Sequence, residues 1–274
     1  MITSIIGAEG YMGKWLTNHL TSLGHEVFGF NEQKQFESSI LAESDLVIVS
    51  VPVGSTSGVV KAAIKHMRRN ATIMEIASLK SETYEAMMEA SSKGLNALCV
   101  HPMFGPSATS LKGKTIAYIP ITDSELEKRE LESVFPGASI VEVELECHDR
   151  LMSIILSLPY LVNLAFAGVI KSEDLNLLKK LSGTSFALQY VLIQSVASEN
   201  TSLVHALLSK NMFLDASVEK LIENISMIMK KRESNNQFRY LHKEIKESLS
   251  KDPVYEESPR IRQTVYDLIQ PLLR

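Results

Sequence analysis

The chain has 274 residues, of which 45% are hydrophobic and 22% are charged, and its formal net charge is −4 at pH 7. This length suits two domains of ordinary size, and the balance of residues is typical of a globular protein and argues against intrinsic disorder. The weakly acidic charge gives no electrostatic reason to expect nucleic acid as a partner.

The first half of the sequence alternates short β-branched runs with amphipathic stretches. The predicted strands are Thr3–Ile6, Glu26–Phe30, Asp45–Val51, Thr72–Ile76, Ala97–His101, Thr115–Ile119 and Ser139–Val143. The predicted helices between them are Met12–Leu23, Val59–Met67, Glu82–Ser92 and Asp123–Val134. Such alternation predicts an α/β fold, a Rossmann-type doubly wound and mostly parallel sheet with helices on both faces.

The second half of the sequence predicts helices only. An uncharged segment, Leu151–Ile170, is about long enough to span a bilayer, but we interpret it as the buried core helix of a dimer. Apolar residues then recur at three- and four-residue spacing from Val218 to Met229 and from Ile261 to Leu272. The sequence therefore predicts two domains, an α/β domain in residues 1–146 and an all-helical domain in residues 147–274.

A glycine-rich turn follows the first predicted strand and leads directly into a helix. Its sequence is Gly7-Ala8-Glu9-Gly10-Tyr11-Met12-Gly13. A strand, a tight glycine turn and a helix N-terminus in this order are typical of a dinucleotide-binding loop. Gly10 would let the backbone approach a pyrophosphate, Gly13 would let the helix pack closely, and the free N–H groups of the first turn would bind the anion. The alternative is a glycine-rich β–α turn that binds no ligand.

The end of the second predicted strand bears on the choice of cofactor. An acidic residue there would accept a hydrogen bond from the adenosine ribose 2′-hydroxyl and favour NAD. This chain has Asn31 at that place, followed by Glu32 and then Lys34. Asn31 is able to bond a 2′-hydroxyl, and no arginine stands ready to bind a 2′-phosphate. We therefore predict NAD, with NADP left open as the alternative.

Three later strands end in polar or proline-containing sequence. They run into Ser50-Val51-Pro52-Val53, Ala77-Ser78-Leu79-Lys80 and His101-Pro102-Met103-Phe104-Gly105-Pro106. In open α/β sheets, ligands bind at the carboxyl ends of the strands. We therefore predict that Val51 and Pro52 contact the cofactor, and that Ser78, Lys80 and His101 face it.

His101 is the candidate general base. A histidine there is able to take the proton from a hydroxyl while a hydride leaves the same carbon, and Ser78 would orient that hydroxyl. The alternative is a structural histidine beside a proline turn. The remaining histidines predict no metal site, because they lie on helix faces or in turns without metal-ligand spacing. The pair His148-Asp149 is interpreted as a helix cap and a first-turn acid, with a catalytic role as the alternative.

The cysteines and the N-terminus predict a cytoplasmic protein. Cys99 and Cys147 belong to no CxxC pair, and each lies beside apolar or strand-like sequence. The first residues have no basic segment and no long apolar segment of the kind that a signal peptide needs. We expect free thiols in a reducing compartment.

These motifs together resemble the prephenate dehydrogenase family of tyrosine biosynthesis. The glycine loop, Ser78-Leu79-Lys80, the run from His101 to Pro106 and His148-Asp149-Arg150 carry the resemblance, in this order along most of the chain. The resemblance implies oxidative decarboxylation of prephenate to 4-hydroxyphenylpyruvate, with hydride transfer to NAD(P)+. It implies that His101 bonds the C4 hydroxyl and that Ser78 positions it. It also implies that the helical domain forms a homodimer and completes the substrate pocket.

The chain departs from the family pattern at two places in the helical half. Members of the family carry a histidine where this chain has Tyr160, and an arginine for a substrate carboxylate where this chain has Ala187 or Ser195. Prephenate is a dianion, so another cation has to serve, with Arg150, Lys80 and Lys210 as candidates, or the substrate differs. We predict substrate contacts from Lys80, Tyr160 and Gln189.

Two further hypotheses stay open. One is a dehydrogenase of another small acid, such as arogenate or a β-hydroxy acid, although the second half lacks the glycine-pair and lysine run of the β-hydroxy-acid group. The other is a non-catalytic dinucleotide-binding regulatory protein, which the missing arginine favours and the retained Ser78 and His101 disfavour.

Overall fold

A computed structural model describes residues 1–31 and 38–273 of the chain. The strands are β1 (Ile2–Ile6), β2 (Glu26–Phe30), β3 (Leu46–Val49), β4 (Thr72–Glu75), β5 (Asn96–Pro102), β6 (Thr115–Ile119) and β7 (Ser139–Glu142). They form a seven-stranded sheet in the order β2-β1-β3-β4-β5-β6-β7. Neighbouring strands run parallel, except that β5 and β6 are antiparallel. The strand order reverses between β1 and β3, and this is where open α/β sheets bind ligands.

Helices cover both faces of the sheet. They are α1 (Tyr11–Ser22), α2 (Ser38–Glu43), α3 (Val53–Ala63), α4 (Tyr84–Ser92) and α5 (Ser124–Val134). Side chains along the central strand β3 alternate, because successive residues of a strand point to opposite faces. Val47 and Val49 pack in the core with α3 and α4, whereas Leu46 and Ile48 pack in the core with α1 and α5. Every residue of β3 is therefore apolar and buried, as expected of a strand covered on both faces.

The rest of the chain is helical. Its elements are α6 (Leu145–Met152), a π-helical turn (Ser153–Ser157), α7 (Leu158–Ile170), α8 (Leu175–Leu181), α9 (Thr184–Ser198), α10 (Thr201–Ser209), α11 (Leu214–Lys231), α12 (Asn235–Leu249) and α13 (Ser258–Leu273). The predicted uninterrupted helix Leu151–Ile170 thus contains a wide turn. Pro159 has no amide hydrogen for the carbonyl four residues before it, and its ring crowds that carbonyl, so the helix widens just before the proline.

The chain divides into two compact units, which we call the sheet unit and the helical unit. The sheet unit comprises Met1–Met152 and His205–Met212, and the helical unit comprises Ser153–Val204 and Phe213–Arg274. The sequence placed the boundary at residue 146, at the start of α6. The sheet unit takes α6 as well, because Met152 packs with Val53, Ala77 and Leu79.

The predicted fold class is confirmed: a Rossmann-type, mostly parallel doubly wound sheet is followed by helices. All seven predicted strands are present, each within a few residues of its predicted bounds. Helix α3 begins at Val53 rather than at Val59, and the short helix α2 was not predicted. Gly54, Ser55, Thr56 and Gly58 are poor helix formers, and the burial of Val53 and Thr56 outweighs their propensity.

Within the described residues, one helical stretch is long and apolar enough to cross a membrane. It is Leu145–Ile170, and 22% of its most apolar window is buried. Its first part, however, is α6, which carries the buried side chains of His148 and Asp149. Asp149 accepts a hydrogen bond from the Lys80 amide at 2.9 Å. This contact holds α6 in the sheet unit and favours a protein environment over a bilayer for that part of the stretch.

Candidate functional site

The turn after β1 is tight enough to require glycine at two positions. Gly7 has a φ of +92°, and a Cβ there would lie 2.1 Å from the Ser50 carbonyl oxygen at the end of β3. A Cβ on Gly13 would lie 2.1 Å from the Gly7 carbonyl oxygen. Only glycine lets β3 and α1 approach the turn this closely. The glycines of the loop therefore have the structural roles that a dinucleotide fingerprint requires.

The N-terminus of α1 offers free backbone amides. Gly10 is the N-cap residue, no side chain of the described residues caps the helix, and the first turn contains no acidic residue. The Lys14 amide makes the first helical hydrogen bond, to the Gly10 carbonyl oxygen at 2.9 Å. The amides of Tyr11, Met12 and Gly13 precede it and point out of the helix end, where the helix dipole favours an anion. This cradle fits the pyrophosphate of a dinucleotide.

A cleft of about 400 Å³ lies beside the turn. Its walls come from the glycine loop, α1 and the end of β2: Ala8, Glu9, Lys14, Thr17, Asn18, Gly29, Phe30 and Asn31. Asn31 thus lies at the cleft, as the sequence predicts, whereas Glu32 and Lys34 lie outside the described residues. Val51 follows β3 on the other side of Gly7, and Pro52 is the N-cap residue of α3. The residues predicted to contact the cofactor therefore lie at one edge of the sheet.

His101 is the first member of a buried chain of polar side chains. It lies on β5 and is only 5% exposed. Its Nδ1 atom is 3.2 Å from His148 Nε2. His148 Nδ1 is in turn 2.7 Å from Asp149 Oδ1. We call His101, His148 and Asp149 the histidine relay.

Asp149 is held as a carboxylate by donors from one loop. Oδ1 accepts from the Lys80 amide at 2.9 Å, and Oδ2 accepts from the Ser81 amide at 2.9 Å and from Ser81 Oγ at 2.6 Å. Burial alone would raise the pKa of Asp149. The hydrogen bonds from His148, Lys80 and Ser81 outweigh burial and hold this pKa well below its ordinary value.

His101 is held neutral. Burial is the largest cause that lowers the pKa of His101 well below its ordinary value, the charge of Lys80 acts in the same direction, and Asp149 opposes them. An ionised Asp149 requires a proton on His148 Nδ1, and in a neutral His148 the other ring nitrogen, Nε2, is then the acceptor for His101 Nδ1. The lone pair of His101 then resides on Nε2. The relay therefore presents a neutral imidazole whose Nε2 is able to accept a proton.

Ser78 lies at the same sheet edge as His101. It follows β4, the parallel neighbour of β5, and it is half-buried. The loop that carries it is tied down at several points, since Leu79 is fully buried and the amides of Lys80 and Ser81 bind Asp149. The structure thus brings the two predicted catalytic residues to neighbouring strand ends.

Lys80 does not have the role that the sequence suggested. Its side chain is fully buried, and Nζ donates to Glu75 Oε1 at 2.5 Å and to the Val100 carbonyl oxygen. Glu75 also accepts from the Ala77 amide at 2.8 Å and from Cys99 Sγ at 3.1 Å. The prediction that Lys80 binds a substrate carboxylate is therefore corrected, because its charge is already neutralised inside the protein. Lys80 instead connects the Ser78 loop to β5.

The interpretation of His148-Asp149 as a helix cap is also corrected. Both residues lie within α6, and their side chains contact His101 and the Ser78 loop rather than the end of their own helix. The sequence offered one usable signal, an adjacent histidine and aspartate opening a long apolar helix. The partner of His148 lies 47 residues earlier in the chain, so local patterns could not identify it.

Two predicted substrate contacts lie in the helical unit. Tyr160 on α7 is half-buried, and burial followed by the charge of Glu199 raises its pKa, so its hydroxyl is a donor at neutral pH. Gln189 on α9 donates from Nε2 to Asn163 Oδ1 at 2.8 Å. Ala187 is fully buried on the same helix. The substrate contacts of Tyr160 and Gln189 stay predictions.

Within residues 1–31 and 38–273, no group of three or more histidine, cysteine, aspartate or glutamate side chains is placed to hold a metal ion. Of the other candidate cations, Lys210 forms an ion pair with Glu82 at 2.9 Å, and Arg150 lies exposed on α6.

The glycine turn, the free amides of α1 and the cleft beside them are the features of a dinucleotide-binding domain. Residues 23–132 match the family described as prephenate dehydrogenase, nucleotide-binding domain. This match includes Ser78 and His101 and begins after the glycine loop. This part of the sheet unit is therefore similar to the nucleotide-binding domain of that family.

Two curated relatives are similar to most of this chain. The chain is 29% identical to a probable arogenate/prephenate dehydrogenase of Methanocaldococcus jannaschii, over 73% of this chain and 50% of the relative. It is 25% identical to the T-protein of Enterobacter agglomerans, over 73% of this chain and 54% of the relative. The chain thus spans about half the length of the curated relatives it matches.

Two crystal structures share the fold at low sequence identity. Synechocystis arogenate dehydrogenase superposes with a TM-score of 0.70 at 20% identity, over 92% of this chain and 98% of that one. A prephenate dehydrogenase from A. aeolicus, in complex with hydroxyphenyl propionate and NAD+, superposes with a TM-score of 0.68 at 19% identity, over 92% and 99% of the two chains. These likenesses show the fold.

Proposed function

We propose that this chain is an NAD-dependent dehydrogenase that converts prephenate to 4-hydroxyphenylpyruvate and CO2, a step of tyrosine biosynthesis. The observation that carries the proposal is the histidine relay, which places a neutral imidazole at the same sheet edge as the nucleotide-binding turn. A structural histidine beside a proline turn would need neither a second buried histidine nor an ionised aspartate behind it.

The relay accounts for the movement of the proton. His101 Nε2 takes the proton of the C4 hydroxyl as the hydride leaves C4 and the ring carboxylate departs as CO2. His101 then returns the proton to the phenolate oxygen, so no net proton is released. Ser78 orients the hydroxyl, and His148 and Asp149 stabilise the imidazolium while it carries the proton.

The choice of NAD rests on the nucleotide-binding turn. When bound, NAD+ supplies the acceptor for the hydride. The amides of Tyr11 to Gly13 hold the pyrophosphate, Asn31 lies at the adenosine end, and Val51 and Pro52 border the turn. The relative that was crystallised with NAD+ supports the same choice. NADP is the alternative.

Arogenate is the second candidate substrate. It carries an ammonium group that prephenate lacks, so its net charge is less negative by one. Ala187 or Ser195 stands where the family pattern has an arginine for a carboxylate, and neither side chain carries a positive charge, which favours the less anionic substrate. Two of the similar proteins named above have arogenate in their names. With Lys80 excluded, Arg150 and Lys210 remain the candidate cations, and Tyr160 and Gln189 the candidate hydrogen-bonding groups.

We also propose that the protein is a cytoplasmic homodimer formed through the helical unit. The apolar stripes predicted on α11 and α13 face outward: Ile222 is 57% exposed, Ile225 50% and Leu268 71%. Apolar surface of this extent is typical of a protein interface. Both cysteines are free, as expected in a reducing compartment.

The direct test is the absorbance of reduced nicotinamide with purified protein, either substrate and either cofactor. We expect the absorbance to rise with NAD+ and prephenate. A rise with arogenate but not with prephenate would make arogenate the substrate and would leave the proposed type of reaction unchanged. No rise with any of the four combinations, from a protein that binds NAD+, would contradict the enzymatic proposal and favour the regulatory hypothesis.

A further inference from the structure

An acidic side chain lies at the end of β2, although the last residue of β2 and the residue after it are not acidic. Strand β2 ends at Phe30, and the next residue is the amide Asn31. Glu9, between Gly7 and Gly10 of the turn, lies against it, and Glu9 Oε1 accepts a hydrogen bond from Asn31 Nδ2 at 2.9 Å. The turn thus brings a carboxylate to the place where many NAD-binding domains have one on the second strand.

The close approach of β2 and the turn makes this contact possible. A Cβ on Gly29 would lie 2.8 Å from Ala8 Cβ, so only glycine lets the strand pass so near the loop. The amides of Gly7 and Ala8 both donate to the Phe30 carbonyl oxygen, at 2.7 and 3.2 Å. Glu9 follows directly, and its side chain lines the same cleft as Asn31.

We propose that Glu9 is the residue that selects NAD over NADP, with Asn31 as the positioning residue that holds its carboxylate. This inference rests on the proposed cofactor site. A dinucleotide whose pyrophosphate lies on the N-terminus of α1 directs its adenosine ribose toward the end of β2. The Glu9 carboxylate accepts a hydrogen bond from the 2′-hydroxyl of NAD there, and it repels the 2′-phosphate of NADP.

One cation of the same cleft acts in the opposite direction. Lys14, on the first turn of α1, also lines the cleft, and its ammonium attracts a 2′-phosphate. Lys14 and Glu9 are both exposed, so replacing either one leaves the core of the domain intact. Substitutions of Glu9 and Lys14 are therefore matched variants that should change the preference between NAD and NADP in opposite directions.

The experiment is calorimetric titration of the full chain with NAD+ and with NADP+, for wild type, Glu9→Gln, Asn31→Ala and Lys14→Gln. The quantity compared is the ratio of the Kd for NADP+ to the Kd for NAD+. We expect a ratio above one for wild type, a fall of about tenfold or more in Glu9→Gln because a charge-assisted hydrogen bond and a like-charge repulsion are both lost, and a smaller fall in Asn31→Ala. Lys14→Gln is expected to raise the ratio.

The outcomes separate this inference from the proposed function. A wild type that prefers NAD+ and a Glu9→Gln variant that keeps the same ratio would overturn the role of Glu9 and leave the proposed function standing. A wild type that prefers NADP+ would also overturn it. Binding of neither dinucleotide by wild type would overturn the cofactor site, and the role of Glu9 with it.

Discussion

The sheet unit and the helical unit differ in which side chains they bury. At the carboxyl ends of β4 and β5, the sheet unit buries Glu75, Lys80, His101, His148 and Asp149, and each has a hydrogen-bond partner inside the unit. The helical unit does the reverse and leaves large apolar side chains in solvent, including Leu181 at 76% and Leu272 at 84% exposure. A buried polar cluster is costly unless it is fully paired, and an exposed apolar stripe is costly unless something covers it.

The difference indicates what each unit contributes. The sheet unit is complete as a polar site, because Lys80 pairs with Glu75, hydrogen bonds hold the Asp149 carboxylate, and His101 Nε2 is left as the acceptor. The helical unit lacks a cover for its apolar stripes, and a second copy of the chain would supply it. We therefore propose that the sheet unit carries the chemistry and that the helical unit forms the dimer.

The largest expected effect comes from removing the base. His101→Asn should lower kcat by about 10²–10⁴-fold, because proton transfer to Nε2 is lost while the nucleotide-binding turn is unchanged. The rate of NADH formation is compared between wild type and His101→Asn. Binding of NAD+ to both proteins is monitored through the fluorescence of Trp15 on α1. Loss of cofactor binding together with the rate would show that the substitution had damaged the fold instead.

Breaking the buried ion pair should have the next largest effect, on stability rather than on chemistry alone. Lys80→Met leaves Glu75 charged and unpaired in the core, which should lower the free energy of unfolding by about 3–5 kcal/mol. The double variant Glu75→Gln/Lys80→Met removes both charges and should recover a large part of the loss. Urea denaturation of the three proteins measures this, and equal losses in the single and double variants would argue against a charge effect.

A charge within an apolar stripe should separate the proposed dimer. Ile225→Glu on α11 should convert the protein to monomers, since burying an unpaired carboxylate in an interface is unfavourable. Lys220→Glu, on the same helix outside the stripe, is the matched control and should leave the dimer intact. Sedimentation velocity distinguishes the two states, and a wild type that is already monomeric would contradict the interface.

Stability should depend on pH through His101, with a smaller effect. The folded pKa of His101 is lowered, so below its ordinary pKa the unfolded chain binds a proton that the folded chain does not. The free energy of unfolding should therefore fall as the pH drops below about 6.5, by at most about 1.4 kcal/mol per pH unit for this group. Thermal unfolding of wild type and His101→Asn between pH 5 and 8 isolates this term, and identical slopes would exclude it.

The contrast between the sheet unit and the helical unit also explains which features the sequence could predict. The strands were predicted well because β3 and its neighbours are short, β-branched runs between turn signals. The glycine turn was predicted because only glycine fits at positions 7 and 13, where two backbone segments approach closely. The apolar stripes of α11 and α13 could be predicted because their apolar residues recur at three- and four-residue spacing. The sequence of one chain does not show which surface covers these stripes.

The chemistry of the relay could not be predicted in full. His101 could be predicted because it lies at the carboxyl end of a strand, at the sheet edge where open α/β sheets bind ligands. The role of His148 depends on a contact between α6 and β5, and the burial of Lys80 depends on Glu75 lying beside the Ser78 loop. Such long-range pairings decide whether a charged residue serves the substrate or the fold, and local sequence does not encode them.

The most direct test of the central claim, that a neutral His101 is the base, is the pH dependence of kcat/KM for prephenate with NAD+. The account predicts a rate that stays high through pH 6.5 and declines only at lower pH, because the base of the free enzyme has a pKa below that of an ordinary histidine. A decline centred at or above pH 6.5, or the same profile in His101→Asn, would contradict it.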